Sequence, residues 1–116
     1  MNTHLDALEK RAPAEREAAL LAALPAQIAH AQKNAPAFAE SLKGISASDI
    51  TTRAALAKLP VVRKYELLEK QKASRAAGAS VFGGFSAVAF GKHMPRVFSS
   101  PGPIYEPEGA RADYWR

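Results

Sequence analysis

The chain has no cysteine, which excludes disulfides, thiolate metal sites and thiol nucleophiles. Its three histidines, His4, His30 and His93, stand far apart without carboxylates at ligand spacing, so a metal site is not expected from imidazole either. Long apolar runs are also missing. The longest, Ala18 to Leu24, is seven residues, against the roughly 20 needed to span a bilayer. The start, Met1-Asn2-Thr3-His4-Leu5-Asp6, has neither the basic nor the apolar region of a signal peptide. These absences predict a soluble, cytoplasmic protein with no membrane partner. No serine sits in a nucleophile elbow, and no residue is assigned a catalytic role.

Sixteen Lys and Arg against 11 Asp and Glu give a net charge of +5. The basic residues are dispersed, mostly beside acids and without interleaved aromatics, as on a solvated helix surface; no nucleic-acid partner is expected. A chain of 116 residues makes one domain at most and buries roughly two thirds of its unfolded surface. Tyr114-Trp115-Arg116 closes the sequence on a large aromatic pair and reads as a cut rather than a natural stop.

Residues 1–78 read as a helical region. Pro13 followed by Glu15 and Glu17 opens a helix whose Leu20, Leu21, Leu24, Ile28 and Ala31 form one apolar stripe. Pro25 interrupts that pattern and predicts a kink or a one-residue break near Leu24. A short helical turn through Phe38 and Leu42 should close at Gly44, and Ser46 to Asp49 reads as a turn. Thr52 can cap a helix from Arg53 to Leu59, and a further helix from Arg63 to about Ala77 should bury Leu67 and Leu68. His30 reads as a structural boundary residue with a satisfied hydrogen bond, and Asp49, Glu66 and Glu69 as surface or capping acids. Residues 79–116 change in texture, with glycine among apolar and aromatic residues, and predict loops and short strands: Arg96 to Ser99 as a strand, Gly109 to Trp115 as a helix start. The fold class expected is mainly α, with about four to five helices and short β segments after residue 80.

The most informative segment is Arg96 to Pro107. It has the outline of a phosphate loop, in which successive backbone N–H groups, hydroxyls and a cation face an anion. Ser99, Ser100 and Gly102 keep part of that pattern. Pro101 and Pro103 each delete a donor, and Glu106 sets a negative charge where a positive one would help. The competing reading is a Pro-Gly-Pro turn that only connects strand to loop, with Arg96 holding it through backbone oxygens.

Four segments together resemble the opening of the phenylacetate–coenzyme A ligase family of adenylate-forming enzymes. Leu24 to Ala31, running on to Ala35-Pro36-Ala37-Phe38, looks like the family's first helix and its closing turn. Ala57 to Leu67 is similar to its "LPxTxKxxL" segment, with Val62 where a helix-capping Thr usually stands, a loss of about 1 kcal/mol. Phe82-Gly83-Gly84-Phe85 resembles the aromatic and glycine turn before the phosphate strand. Arg96 to Pro107 falls where the family writes its Ser-, Thr- and Gly-rich phosphate loop. There Ser100, Gly102 and Pro107 agree, whereas Pro101, Pro103, Ile104, Tyr105 and Glu106 replace Ser, Thr, Thr, Gly and Lys.

The resemblance implies the N-terminal part of an α/β adenylate-forming fold. For a longer parent it implies activation of an aryl carboxylic acid with ATP and Mg²⁺, followed by transfer to coenzyme A. Its degenerate phosphate loop would be Ser99, Ser100 and Gly102, and its catalytic groups lie beyond Arg116, so this chain alone is expected to be inactive. The alternative is a non-catalytic helical interaction or acyl-binding module diverged from that family. Strand edges left without partners predict self-association through Phe82 to Trp115.

Overall fold

The computed structural model describes residues 6–109; the expected helix start at Gly109 to Trp115 lies almost wholly outside them. They form a mixed structure, mainly helical, with four α-helices, two 3₁₀ turns and a two-stranded antiparallel sheet. The chain divides into two compact units: residues up to Ala29 with Ser46–Leu59, and His30–Ile45 with Pro60 onward.

In the first unit, the Asp6 carboxylate accepts from Leu8 N at 2.8 Å and caps the 3₁₀ turn Ala7–Lys10. Helix α1, Pro13–Asn34, opens with proline at its first position, where the missing N–H costs nothing, and Glu15 reaches back to Ala12 N at 3.2 Å. It runs without interruption through Pro25, so the one-residue break expected near Leu24 does not occur. The lost bond to the Leu21 carbonyl is confined to one position, and the apolar stripe keeps its phase on both sides. A 3₁₀ turn, Ala47–Asp49, precedes helix α3, Arg53–Leu56. Thr52 Oγ1 accepts from Ala55 N at 3.1 Å, as its position predicts. The helix is shorter than expected because its last turn tightens: Lys58 N and Leu59 N bond three residues back, to Ala55 and Leu56.

The second unit begins with the last turn of α1. Helix α2, Pro36–Ser41, follows, and the Gln32 amide donates to the Leu42 and Ile45 carbonyls at 3.1 and 2.9 Å, fixing the turn that closes at Gly44. Helix α4, Lys64–Ala76, starts at its N-cap Arg63, whose N–H donates to the Glu66 carboxylate at 2.8 Å. Strands β1, Val97–Ser100, and β2, Ile104–Pro107, pair in the register Val97 with Pro107 through Ser100 with Ile104. The core of this unit holds Ala35, Ala37, Leu42, Phe82, Met94 and Ile104. Leu67 and Leu68 are only half-buried; the buried residue of α4 is Gln71.

Candidate functional site

The site builds from α4 outward. Gln71 is 1 % exposed, and a buried primary amide must find partners at both ends. Its Oε1 accepts from Tyr105 N at 2.9 Å, and its Nε2 donates to Tyr105 O at 2.9 Å and Phe82 O at 3.5 Å. Tyr105 stands opposite Ser99. In an antiparallel ladder, alternate residues turn their N–H and C=O away from the partner strand, and Gln71 meets those outward groups of β2 as a neighbouring strand would. The hairpin edge nearest α4 is thereby closed by one side chain.

The Phe82–Phe85 turn is packed against the same helix. Gly83 has φ +61°, and a Cβ there would lie 3.0 Å from the Gln71 backbone nitrogen, so only glycine allows the approach. Gly84 O accepts from Ala37 N at 3.0 Å, and Phe85 meets Phe38 edge to face with centroids 5.4 Å apart. Lys70 Nζ sits 5.7 Å from the Phe85 ring centre.

At the base of the hairpin, Arg96 forms a two-pronged pair with the buried Glu108, Nε to Oε2 at 2.6 Å and Nη2 to Oε1 at 2.9 Å, while Glu108 N donates to Arg96 O at 2.9 Å. The sequence suggests that Arg96 holds the loop through backbone oxygens; its side chain instead binds a carboxylate, because a planar guanidinium matches two carboxylate oxygens. The Arg75 guanidinium stacks 5.2 Å from the Tyr105 ring centre.

Ser99 and Ser100 therefore lie in β1, and Gly102 in the exposed tip Pro101-Gly102-Pro103, with φ +148° and a cis bond to Pro103. The three residues share the hairpin, and as neighbours in a strand Ser99 and Ser100 turn their side chains to opposite faces rather than to one cradle. The ladder turns Ser100 N–H toward Ile104 and Ser99 N–H away from β2, and the two prolines donate nothing, so no two successive N–H groups face one point. The nearby guanidinium, Arg96, is already paired, and exposed Glu106 adds repulsion. This donor set does not fit the phosphates of ATP.

Elsewhere, His30 Nδ1 is 3.0 Å from Asn34 Nδ2, as a satisfied surface histidine, and Glu69 pairs with Lys72 at 2.9 Å. His4 lies outside the described residues. Among the described residues, no group of His, Asp and Glu could hold a metal ion, and no helix is long and apolar enough to cross a membrane. In the first unit, Leu20, Leu21, Leu24, Leu56 and Pro13 line an open groove of about 460 Å³, rimmed by Arg16, Glu17 and Arg53. Glu17 and Arg53 are paired: the hydrogen bond from Arg53, and then its charge, hold the Glu17 carboxyl below its ordinary pKa, and the same bond raises that of Arg53.

Sequence reasoning missed β2, Gln71 and Glu108. A glutamine among the apolar positions of α4, and an Arg and a Glu bracketing a Pro-Gly-Pro turn, are the signals that could have found them. No protein family, curated protein or solved structure matches the chain.

Proposed function

We propose that this chain is the leading, non-catalytic part of a phenylacetate–coenzyme A ligase-like protein, supplying a helical layer and a hairpin at the position of the family's phosphate loop. The parent would activate an aryl carboxylic acid as its adenylate, using ATP and Mg²⁺, and pass the acyl group to coenzyme A. The observation that carries this reading is that three of the family-like segments, remote in sequence, meet in one packed unit. Ala37 and Phe38 contact Gly84 and Phe85, and Phe82 shares Gln71 with Tyr105 of the hairpin. That is the arrangement expected if these segments were selected together.

The second reading, a diverged module that binds or scaffolds without adenylating, is favoured by the hairpin itself. Pro101, Pro103 and Glu106 oppose a phosphate grip, and Arg96 is engaged by Glu108. Pyrophosphate exchange into ATP separates the two. The 116-residue chain should show none. On the ligase reading, a longer parent carrying this sequence exchanges pyrophosphate in the presence of aryl acids, its phosphates held by residues outside this hairpin; absence of exchange across a broad acid panel favours the module reading instead.

A further inference from the structure

We propose that the free edge of β1 pairs antiparallel with the same edge of a second copy of this chain, centred on Phe98, so that two hairpins join into one four-stranded sheet. The hairpin has two edges, and Gln71 closes only that of β2. Glu108 N–H donates to Arg96 O at 2.9 Å, which fixes the alternation of the ladder: Arg96, Phe98 and Ser100 turn their backbone groups toward β2, and Val97 and Ser99 turn theirs away. Among the described residues, nothing bonds to these outward groups. Val97 is 41 % exposed and Ser99 is exposed. Sheet edges are ordinarily blunted by a charge, a proline or a bulge; Val97-Phe98-Ser99-Ser100 has neither charge nor proline.

The prolines that bound this strand select the occupant. In Pro95-Arg96-Val97-Phe98-Ser99-Ser100-Pro101 the next outward positions on either side are Pro95 and Pro101, which have no N–H to give. The backbone donors of this edge are therefore symmetric about Phe98. A second copy laid antiparallel, Phe98 on Phe98, pairs Val97 with Ser99 and Ser99 with Val97, and every outward N–H finds a carbonyl. A slip of two residues either way sets Val97 or Ser99 against a proline and leaves a carbonyl unbonded. In the centred register the two Phe98 side chains meet at a position without ladder hydrogen bonds, where side chains approach most closely and aromatic pairs stabilise. Arg96 falls opposite Ser100 and is already held by Glu108, so no like charges face each other across the junction. The self-association expected somewhere between Phe82 and Trp115 narrows to one strand and one register. This inference does not rest on the ligase reading.

Sedimentation velocity of the full 116-residue chain over a concentration series tests this. The wild type should show a concentration-dependent dimer by about 1 mM. Because Val97 faces Ser99 of the other copy, the double variant Val97→Glu with Ser99→Glu sets like charges opposite each other twice, and so does Val97→Lys with Ser99→Lys. Each should weaken the dimer at least about tenfold. Both positions are exposed, so far-ultraviolet circular dichroism should be unchanged. An equimolar mixture of the two double variants places opposite charges at both pairs and should restore a dimer. A wild-type monomer throughout the series, a dimer that survives both double variants, or a mixture that stays monomeric would overturn the proposal. Pyrophosphate exchange is indifferent to any of these results, so this proposal and the ligase reading fail separately.

Discussion

Gln71 shows how much of this structure rests on single polar side chains. Its amide satisfies both backbone groups of Tyr105, so Gln71→Leu, though close in size, strands a half-buried N–H and C=O. The expected loss is about 1–3 kcal/mol for each group left unsatisfied, read by chemical denaturation. Gln71→Glu buries a carboxylate against the Tyr105 and Phe82 carbonyls, so it should destabilise at least as much as Gln71→Leu at neutral pH. Gly83 depends on the same helix from the other side. Gly83→Ala forces a side chain into positive φ and against the backbone of Gln71, and should destabilise by about 1–3 kcal/mol. At Gly102 the nearest obstacle is the flexible end of Leu68, at 3.2 Å, so Gly102→Ala, also at positive φ, should cost less than Gly83→Ala.

The elements divide by how local their causes are. Helices α1, α2 and α4, the Thr52 cap and strand β1 were legible because their signals lie within a few residues: Pro13 with Glu15, Thr52 before Ala55, Glu66 reaching Arg63, and the leucine stripe. Strand β2 was not legible. Ile104 to Pro107 reads as loop beside two prolines, and what makes it a strand is a glutamine 34 residues earlier and an ion pair spanning 12 residues. The same non-locality explains Leu67 and Leu68: helical periodicity identifies the inward face of α4 but not which residue the hairpin covers. The ion pair between α1 and α3 makes a pH prediction. The Glu17 carboxyl is depressed by Arg53 in the folded chain, so its contribution is present above the ordinary carboxylate pKa and lost as pH falls through the lower folded value. The stability gap between wild type and Glu17→Gln should therefore be small at neutral pH, because the pair is exposed. It should close on acidification and shrink in high salt, as followed by thermal melts across the acid range.

For the whole molecule, the hairpin is the element on which the functional readings divide. Its outline in the sequence suggested phosphate chemistry, and the residues around it make a clamp: Gln71 on the outer edge of β2, Arg96 and Glu108 across the base, and proline on both sides of the tip. Removing the clamp should loosen the fold and leave nucleotide affinity unchanged, since the account assigns this hairpin no grip on phosphate. The direct test is a titration of magnesium–ATP into the isotopically labelled chain, following the backbone amides of Ser99, Ser100, Gly102 and Ile104 by nuclear magnetic resonance. The account predicts that these amides do not move at millimolar nucleotide. Saturable shifts centred on Ser99, Ser100 and Gly102 would contradict it and return the hairpin to the phosphate-binding role its sequence first suggests.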